Sequence, residues 1–230
     1  MIISTSTLSH NGLLLDNSQN ISINQTEYAI HSNPNGVNAP QPVNVIFNST
    51  IADNKYSGIR SFKSILDINQ STIANHEAQG IRFTRHEDHA NETQLSIEAT
   101  LFANNQFQDC NDIWVLPEDE LDILGNFNAS TDETCGFTGA NNLENIDNPI
   151  NGSLSNWGGF TPTLMINDSS EIVDFVESNC SSTDQRGSER PLDGNDNGTS
   201  NCDVGAVEIN RNTDPVVSDI IFKSSFQALF

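Results

Sequence analysis

A short sequence pattern recurs along the chain, and this internal repeat constrains the fold more than any other feature. The run STIADN at residues 49–54 returns as STIANH at residues 71–76, and in both copies Gly-Ile-Arg follows after three further residues. With the weaker copies included, the repeats begin at residues 6, 26, 49, 71 and 99. A period of this length is typical of stacked structural repeats, each of which buries a thin apolar stripe against its neighbours.

Alternating apolar residues precede each copy after the first, and this alternation indicates a short strand with one face turned inward. The alternating pairs are Ile21 and Ile23, Val43 and Val45, Leu66 and Ile68, and Leu95 and Ile97. A sandwich would instead show antiparallel strands about every 8 to 12 residues, without such self-similarity. Because parallel crossovers are almost always right-handed, residues 1–127 are predicted to be the coils of an all-β, right-handed parallel β-helix, which is a solenoid.

Two positions of the repeat allow predictions about side chains. Ile51, Ile73 and Leu101 hold the same position in three copies, so we expect them to point inward and to stack on one another. Asn54 and Asn104 are assigned to equivalent corners of the coil. Asparagine tolerates left-handed backbone angles at such corners, and stacked amides can form hydrogen-bonded ladders there.

A series of distinct motifs follows the last repeat. It consists of DCN at residues 109–111, NWGGFTPT at 156–163, DQRG at 184–187 with RP at 190–191, and CDVGAVE at 202–208. In this order the motifs resemble those of the bacterial choice-of-anchor Q proteins, and the resemblance covers about residues 43 to 208. It implies a secreted or surface-anchored parallel β-helix. It implies no particular reaction, because the family has no established one.

The chain is accordingly divided into three parts. After the coils of residues 1–127, residues 128–212 are predicted to form a disulfide-stapled C-terminal end segment. Residues 213–230 are interpreted as a tail that covers an open strand edge or serves as an anchor or sorting segment. The first residues already belong to a repeat and lack the features of a signal peptide, so we expect an N-terminal truncation. No apolar run reaches the length of a membrane span.

The four cysteines fit an exported protein, in which an even number usually means disulfides. Three pairings are possible. The local pairing joins Cys110 to Cys135 and Cys180 to Cys202, and each bridge would contribute roughly 3 kcal/mol. A zinc site built from all four cysteines is the alternative, although the chain has no Cys-x-x-Cys pair.

The chain is strongly acidic, with 9 Lys and Arg against 31 Asp and Glu and a formal net charge of -22. This charge repels phosphate backbones and argues against a nucleic-acid partner, while the acids serve solubility or bind divalent cations. The best calcium candidate comprises Asp193, Asn195 and Asn197 in a glycine-containing loop, with Asp203 as a further ligand. The glutamate that closes a standard calcium loop is missing, so a plain Asx-Gly turn is the alternative.

Arg60, Arg82 and Arg85 are candidates for a glycan-binding face, because Arg60 and Arg82 follow equivalent Gly-Ile pairs in adjacent coils. Surface ion pairs on an acidic rod are the simpler interpretation of these residues. No pair of carboxylates recurs at strand spacing, as a glycoside hydrolase of this fold would need. Trp114, Phe127 and Trp157 could stack on sugars, but burial is favoured for all three.

The sequence thus favours a monomeric, non-catalytic β-helix, secreted or at the cell surface, that serves as a stalk or an adhesin-like binding rod. Its expected partner is a polysaccharide or a ligand on a host or cell surface. The alternatives are a carbohydrate-active β-helix enzyme of the lyase or hydrolase class and a glycan-binding module without turnover. No catalytic residue is assigned, and calcium is the one cofactor that the sequence suggests.

Overall fold

The computed structural model describes residues 1–9, 12–16, 21–24, 29–33, 42–62, 64–84, 94–112, 125–137 and 141–211. In these ranges the chain is all-β and contains no helix. The strands are β1 (Ile2–Ser4), β2 (Thr7–Ser9), β3 (Gly12–Asp16), β4 (Ile21–Asn24), β5 (Ile30–Asn33), β6 (Val43–Phe47), β7 (Thr50–Ala52), β8 (Ile59–Phe62), β9 (Ile65–Asn69), β10 (Thr72–Ala74), β11 (Gln79–Thr84), β12 (Gln94–Glu98), β13 (Leu101–Ala103), β14 (Gln108–Asp112), β15 (Ala129–Ser130), β16 (Ile150–Ser155) and β17 (Thr163–Ile166). Arg85, Trp114 and the predicted tail, residues 213–230, lie outside the described residues.

Parallel pairing joins most of these strands into three sheets, which we together call the coil stack. Sheet A has the order β1-β6-β9-β12, sheet B has β15-β13-β10-β7-β2, and sheet C has β14-β11-β8-β5-β3-β4. From β6 to β14 the chain visits sheets A, B and C three times in succession, so each passage forms one coil with one strand per sheet. The prediction of an all-β chain with parallel sheets is confirmed, and the arrangement is compatible with a β-helix or solenoid-like fold.

The inward faces of the three sheets share one apolar core. Alternation places every second residue of a strand inside, as in β9, where Leu66 and Ile68 are buried between half-exposed neighbours. Two inward rows of four residues are Ile3, Ile46, Ile68 and Ile97 in sheet A, and Ile30, Ile59, Ile81 and Cys110 in sheet C. Because β-branched side chains pack well on a pleated surface, isoleucine dominates these rows.

The third copy of the repeat is displaced by one residue from its predicted alignment. Ile73 pairs with Ile51 on one side and with Phe102 on the other, whereas Leu101 pairs with Thr72. Phe102 therefore completes the inward row. The prediction that Leu101 stacks on Ile51 and Ile73 is wrong, although all three side chains are fully buried. In the sequence the repeat copies align with threonine opposite threonine. In the structure they align instead through the alternating apolar residues of the preceding strands.

The same displacement changes the corner assignments. Asn104 has a φ of 56° and its equivalent Asn75 one of 58°, so asparagine does occupy a left-handed corner. Asn54 does not occupy this left-handed corner. It lies one residue after the corner, at the position that His76 and Asn105 hold in the next two coils. These three buried side chains form a mixed polar ladder. The N–H of Asn54 donates to His76 Nδ1 at 3.2 Å, and the N–H of His76 donates to Asn105 Oδ1 at 3.1 Å.

A second ladder of short polar side chains runs along the corner between sheets A and B. The N–H of Ser49 donates to the Ser71 hydroxyl at 3.2 Å, and the N–H of Ser71 donates to the Thr100 hydroxyl at 3.4 Å. The next rung runs from the Thr100 N–H to Asn128 Oδ1 at 3.0 Å. The serine position of the repeat is therefore structural, since its side chain satisfies backbone N–H groups where the strands end.

The strands described around the repeat copy at residue 26 do not form a coil of their own. β1 pairs directly with β6 and β2 with β7, so no described strand of residues 21–33 enters sheet A or sheet B. β4 instead pairs antiparallel with β3, while β5 enters sheet C between β3 and β8. In this copy Glu27 stands where Thr50 stands in the next, and the buried site of Thr50 does not accept an unpaired charge.

Residues 141–211, which we call the C-terminal segment, lie along the outer face of sheet B and extend as far as β2. They contain the antiparallel hairpin β16–β17 and several isolated bridges. Gln185 accepts a hydrogen bond from the Thr50 hydroxyl at 2.6 Å and donates to the Thr7 hydroxyl at 2.8 Å. Leu101 and the alanines of sheet B pack with this segment in a second apolar cluster. The outer face of sheet B and the C-terminal segment therefore enclose a second apolar core.

Candidate functional site

Arg60 and Arg82 are direct neighbours across β8 and β11, on adjacent coils. The same register row continues to His31 of β5 and Asn111 of β14. Both arginines are half-buried, and the Nε of Arg82 is buried without a hydrogen-bond partner among the described residues. The predicted stacking of the two arginines is thus present. Their role in glycan binding stays a hypothesis.

The most specific sequence motifs converge on a buried polar network in the C-terminal segment. Asp184 Oδ1 accepts the N–H groups of Arg186 at 2.7 Å and Ser188 at 3.0 Å. Its Oδ2 accepts the Arg186 Nε–H at 2.8 Å and the Glu208 N–H at 3.0 Å. The DQRG motif thereby closes on the CDVGAVE motif. The side chains of Asp184 and Arg186 keep only 0% and 2% of their surface exposed.

Glu208 and Arg190 form a second buried pair beside the first. Arg190 Nε lies 3.5 Å from Glu208 Oε2, and neither side chain has exposed surface. Glu208 also accepts the N–H groups of Leu192 at 2.8 Å and Asp203 at 2.9 Å. The Arg190 guanidinium donates to the Gly205 carbonyl at 2.8 Å. One ion pair therefore ties together several turns that have no regular strand pairing.

Burial perturbs the ionisation of this network. Loss of hydration raises the pKa of Glu208 to about 7, while the charge of Arg190 acts in the opposite direction. The pKa of Asp203 is raised well above its usual range, first by burial and second by the charge of Glu208. Burial also lowers the pKa of Arg190. Perturbed groups often mark active sites, but Asp203 and Glu208 have no surface that a substrate can reach.

Both disulfides have the local pairing that the sequence favours. Cys110 is bonded to Cys135 with a Cα–Cα distance of 4.7 Å, and Cys180 is bonded to Cys202 with a Cα–Cα distance of 6.4 Å. The first bridge joins β14 to the loop after β15, and the second lies within the C-terminal segment. All four sulfurs are in S–S bonds, so the alternative of a four-cysteine zinc site is wrong.

The structure places three calcium candidates in one loop and the fourth in the core. Asp193 accepts the N–H groups of Asn197 at 3.0 Å and Gly198 at 2.9 Å, and Asn195 Oδ1 accepts the Asn197 N–H at 3.0 Å in the geometry of an Asx turn. Asn195 is exposed, whereas Asp203 is 1% exposed and accepts backbone N–H groups with both oxygens. Within the described ranges no group of three or more His, Cys, Asp and Glu is placed to hold a metal ion. Calcium binding stays a prediction.

Sequence analysis misses a row of residues at the corner between sheets B and C. Tyr56, Ala78 and Phe107 hold one position in three successive coils. Equivalent residues of these coils are 22 and then 29 residues apart in the sequence, and the same two intervals separate Tyr56, Ala78 and Phe107. Tyr56 is 40% and Phe107 70% exposed, whereas Phe127 is buried and Trp157 half-buried. The one-residue error in the alignment of the third copy moves Phe107 out of this row, so only a correct register makes the row visible.

Comparison with known proteins gives no match to a family model, to a curated protein or to a solved structure. The resemblance to the choice-of-anchor Q proteins therefore depends on the sequence motifs alone, and it stays a hypothesis. In the part of the chain that the structure describes, no helix is long and apolar enough to cross a membrane.

Proposed function

We propose that the chain is a right-handed parallel β-helix related to the choice-of-anchor Q proteins, and that it serves as a non-catalytic stalk or binding rod outside the cell. The three parallel sheets of successive coils support this architecture. The two disulfides support an oxidising location, because such bonds are rare in the reducing cytosol.

The burial of the motif carboxylates carries this proposal. Asp184, Asp203 and Glu208 are at most 1% exposed, and each accepts hydrogen bonds from backbone N–H groups. Glycoside hydrolysis and general acid–base chemistry require a carboxylate within reach of the substrate. In this protein the most distinctive acids instead hold backbone segments together, which is a structural role.

A carbohydrate-active enzyme is the second candidate, and the register of Arg60 and Arg82 favours it. Two arginines on adjacent coils bring cationic groups together on sheet C, where an acidic sugar is one possible ligand. The net charge of -22 opposes this function, because it repels a polyuronate chain at long range.

Incubation of the full chain with neutral and acidic polysaccharides tests the proposal. We expect no release of reducing ends and no absorbance from unsaturated uronates, with or without millimolar calcium. Arg82→Ala and Arg211→Ala are matched variants, since Arg211 lies outside the coil stack and is 41% exposed at its side chain. Turnover that survives Arg211→Ala and disappears in Arg82→Ala would replace the proposed rod with an enzyme.

A further inference from the structure

Tyr56, Ala78 and Phe107, which we call the aromatic row, place two aromatic side chains, 40% and 70% exposed, at one edge of the coil stack. Within the described ranges three aromatic side chains are exposed, namely Tyr56, Phe107 and Phe160. Two of the three share one repeat position. Single exposed apolar residues are normal on a soluble protein, but apolar residues aligned on one edge are typical of an interaction surface.

The spacing of the two rings fits an extended polymer that runs along the stack. Adjacent parallel strands lie about 4.8 Å apart, so rings two coils apart are separated by about 9.6 Å. Ala78 holds the position between them, and its small side chain is half-buried. An extended β-1,4-linked glycan repeats its ring orientation every second sugar over a comparable length. The first and third sugars can therefore stack on the two rings while the second lies over Ala78.

Polar side chains border the aromatic row on both sides. Lys55, Glu77 and Gln106 precede the row in the three coils, and all three are exposed. On the other side, Ser57 donates to Gln79 Oε1 at 2.8 Å. Aromatic faces supply contact area in a ligand site, and a few polar groups fix the orientation of the ligand. The exposed side chains of Lys55, Glu77 and Gln106 can supply these groups to the hydroxyls at the edges of sugar rings, whereas Ser57 is buried.

Charge selects a neutral glycan over an acidic one. The chain as a whole carries a formal charge of -22, which repels a polyanion. The border position itself holds one cation and one anion, Lys55 and Glu77, so it offers no excess of positive charge to a carboxylate-bearing sugar. A polymer of uncharged sugars avoids both penalties.

We propose that the aromatic row binds an extended, neutral, β-1,4-linked polysaccharide that lies parallel to the axis of the coil stack. The inference rests on the proposed function as a non-catalytic rod and assigns a ligand class to that rod. The row is separate from Arg60 and Arg82, which lie on strands of sheet C and suit acidic sugars.

Titration calorimetry of the full chain with cellohexaose and with chitohexaose tests this inference, with maltohexaose and polygalacturonate as comparison ligands. We expect a β-1,4-linked hexasaccharide to bind and the corresponding disaccharide to bind far more weakly, because a disaccharide cannot contact both rings. Tyr56→Ala and Phe107→Ala should each raise Kd about tenfold, which equals about 1.4 kcal/mol. Tyr56→Phe, which keeps the ring, and Phe160→Ala, which removes an exposed aromatic outside the row, should bind as the wild type does.

The outcomes separate this inference from the proposed function. Absence of binding to both β-linked hexasaccharides overturns the inference, as does binding that survives in the Tyr56→Ala/Phe107→Ala double variant, and a non-catalytic rod remains. Binding accompanied by release of reducing ends overturns the non-catalytic function instead and keeps the aromatic row as a sugar site. Because all the substituted side chains are exposed, we expect unchanged melting curves for the variants.

Discussion

From β6 to β14 each strand of the coil stack pairs in parallel with its counterpart in the next coil, whereas the described part of the C-terminal segment has one antiparallel hairpin and isolated bridges. The stack buries rows of isoleucine, and its two side-chain ladders consist of hydroxyl, amide and imidazole groups. The C-terminal segment buries several charged side chains, with Asp184, Arg190 and Glu208 almost fully enclosed, whereas Asp109 of β14 is a buried acid of the stack.

This difference shows two ways of satisfying backbone hydrogen-bonding groups. In the stack the neighbouring coil supplies the partners, so an inward residue needs only to be apolar and suited to a strand. In the C-terminal segment individual side chains supply them, and Asp184 alone accepts the N–H groups of Arg186, Ser188 and Glu208. Tolerance to substitution should therefore be periodic in the stack and specific to each position in the segment.

Ile73→Asp should have the largest effect of the changes considered. Ile73 is fully buried between Ile51 and Phe102, so an aspartate there would be an unpaired charge in the core. We expect a loss of at least about 4 kcal/mol in the free energy of unfolding, measured by denaturant titration. Val43→Asp is the control, because Val43 is 52% exposed on β6, and it should cost about 0.5 kcal/mol or less. Equal losses in the two variants would contradict the inward row.

Arg190→Met should weaken the C-terminal segment while leaving the coil stack folded. Removal of the guanidinium leaves Glu208 buried without its cation, at a cost of about 3–5 kcal/mol. Arg211→Met is the matched control, since the pair of Arg211 with Asp196 is exposed and should contribute less than about 1 kcal/mol. Hydrogen exchange resolved by peptide locates the loss. Faster exchange in β9 and β10 to the same degree as around Glu208 would show that the two regions are not separable.

Much of the fold is predictable from sequence because its main signal is local. The alternation in β9 and β12 and the recurrence of the repeat predict parallel coils without knowledge of the tertiary structure. The antiparallel direction of β4 and the pairing of Leu101 with Thr72 are not predictable in this way. The direction and register of a strand depend on which strand is adjacent to it in space. Identical residues in two repeat copies do not establish which strands are adjacent.

The candidate sites divide in the same manner. The disulfide from Cys180 to Cys202 is predictable from chain distance, and the stacking of Arg60 on Arg82 from the repeat. The buried structural role of Glu208 is not predictable from sequence, because the residue types of a motif do not show whether a carboxylate faces water or backbone N–H groups. The aromatic row is detectable in principle, but only after the third copy has been aligned by strand pairing.

The pH dependence of stability should have opposite signs at His76 of the stack and at Glu208 of the C-terminal segment. Burial lowers the pKa of His76 in the stack to about 3 from the ordinary value of 6.5. The imidazole therefore stabilises the fold fully above pH 6.5, and this contribution is lost as the pH falls toward 3. The pKa of Glu208 is raised to about 7 from 4.5, so its contribution is complete below pH 4.5 and is lost as the pH rises to 7.

Hydrogen-exchange protection at pH 5 and pH 7.5, corrected for intrinsic rates, checks this contrast. On acidification we expect the stack to lose protection around His76 and the C-terminal segment to gain it around Glu208. Each single-proton change has a limiting slope of about 1.4 kcal/mol per pH unit. His76→Asn, which places asparagine beside Asn54 and Asn105, should remove the first dependence, and Glu208→Gln the second. Parallel changes in both regions would contradict the assigned burial of these groups.

The calcium loop should show the smallest effect. Asp193→Ala removes the acceptor of two backbone N–H groups, so it should cost about 1 kcal/mol even without calcium. If Asp193, Asn195 and Asn197 bind the ion, millimolar calcium should raise the melting temperature of the wild type, as any ligand of the native state does, and the gain should vanish in Asp193→Ala. Asp168→Ala, at an exposed acid elsewhere in the segment, should keep the gain.

Asp203 already accepts N–H groups with both oxygens, so calcium there would compete with the core of the segment and bind weakly. A melting temperature that calcium does not change would identify the loop as an Asx-Gly turn, stabilised by its own backbone like the rest of the C-terminal segment.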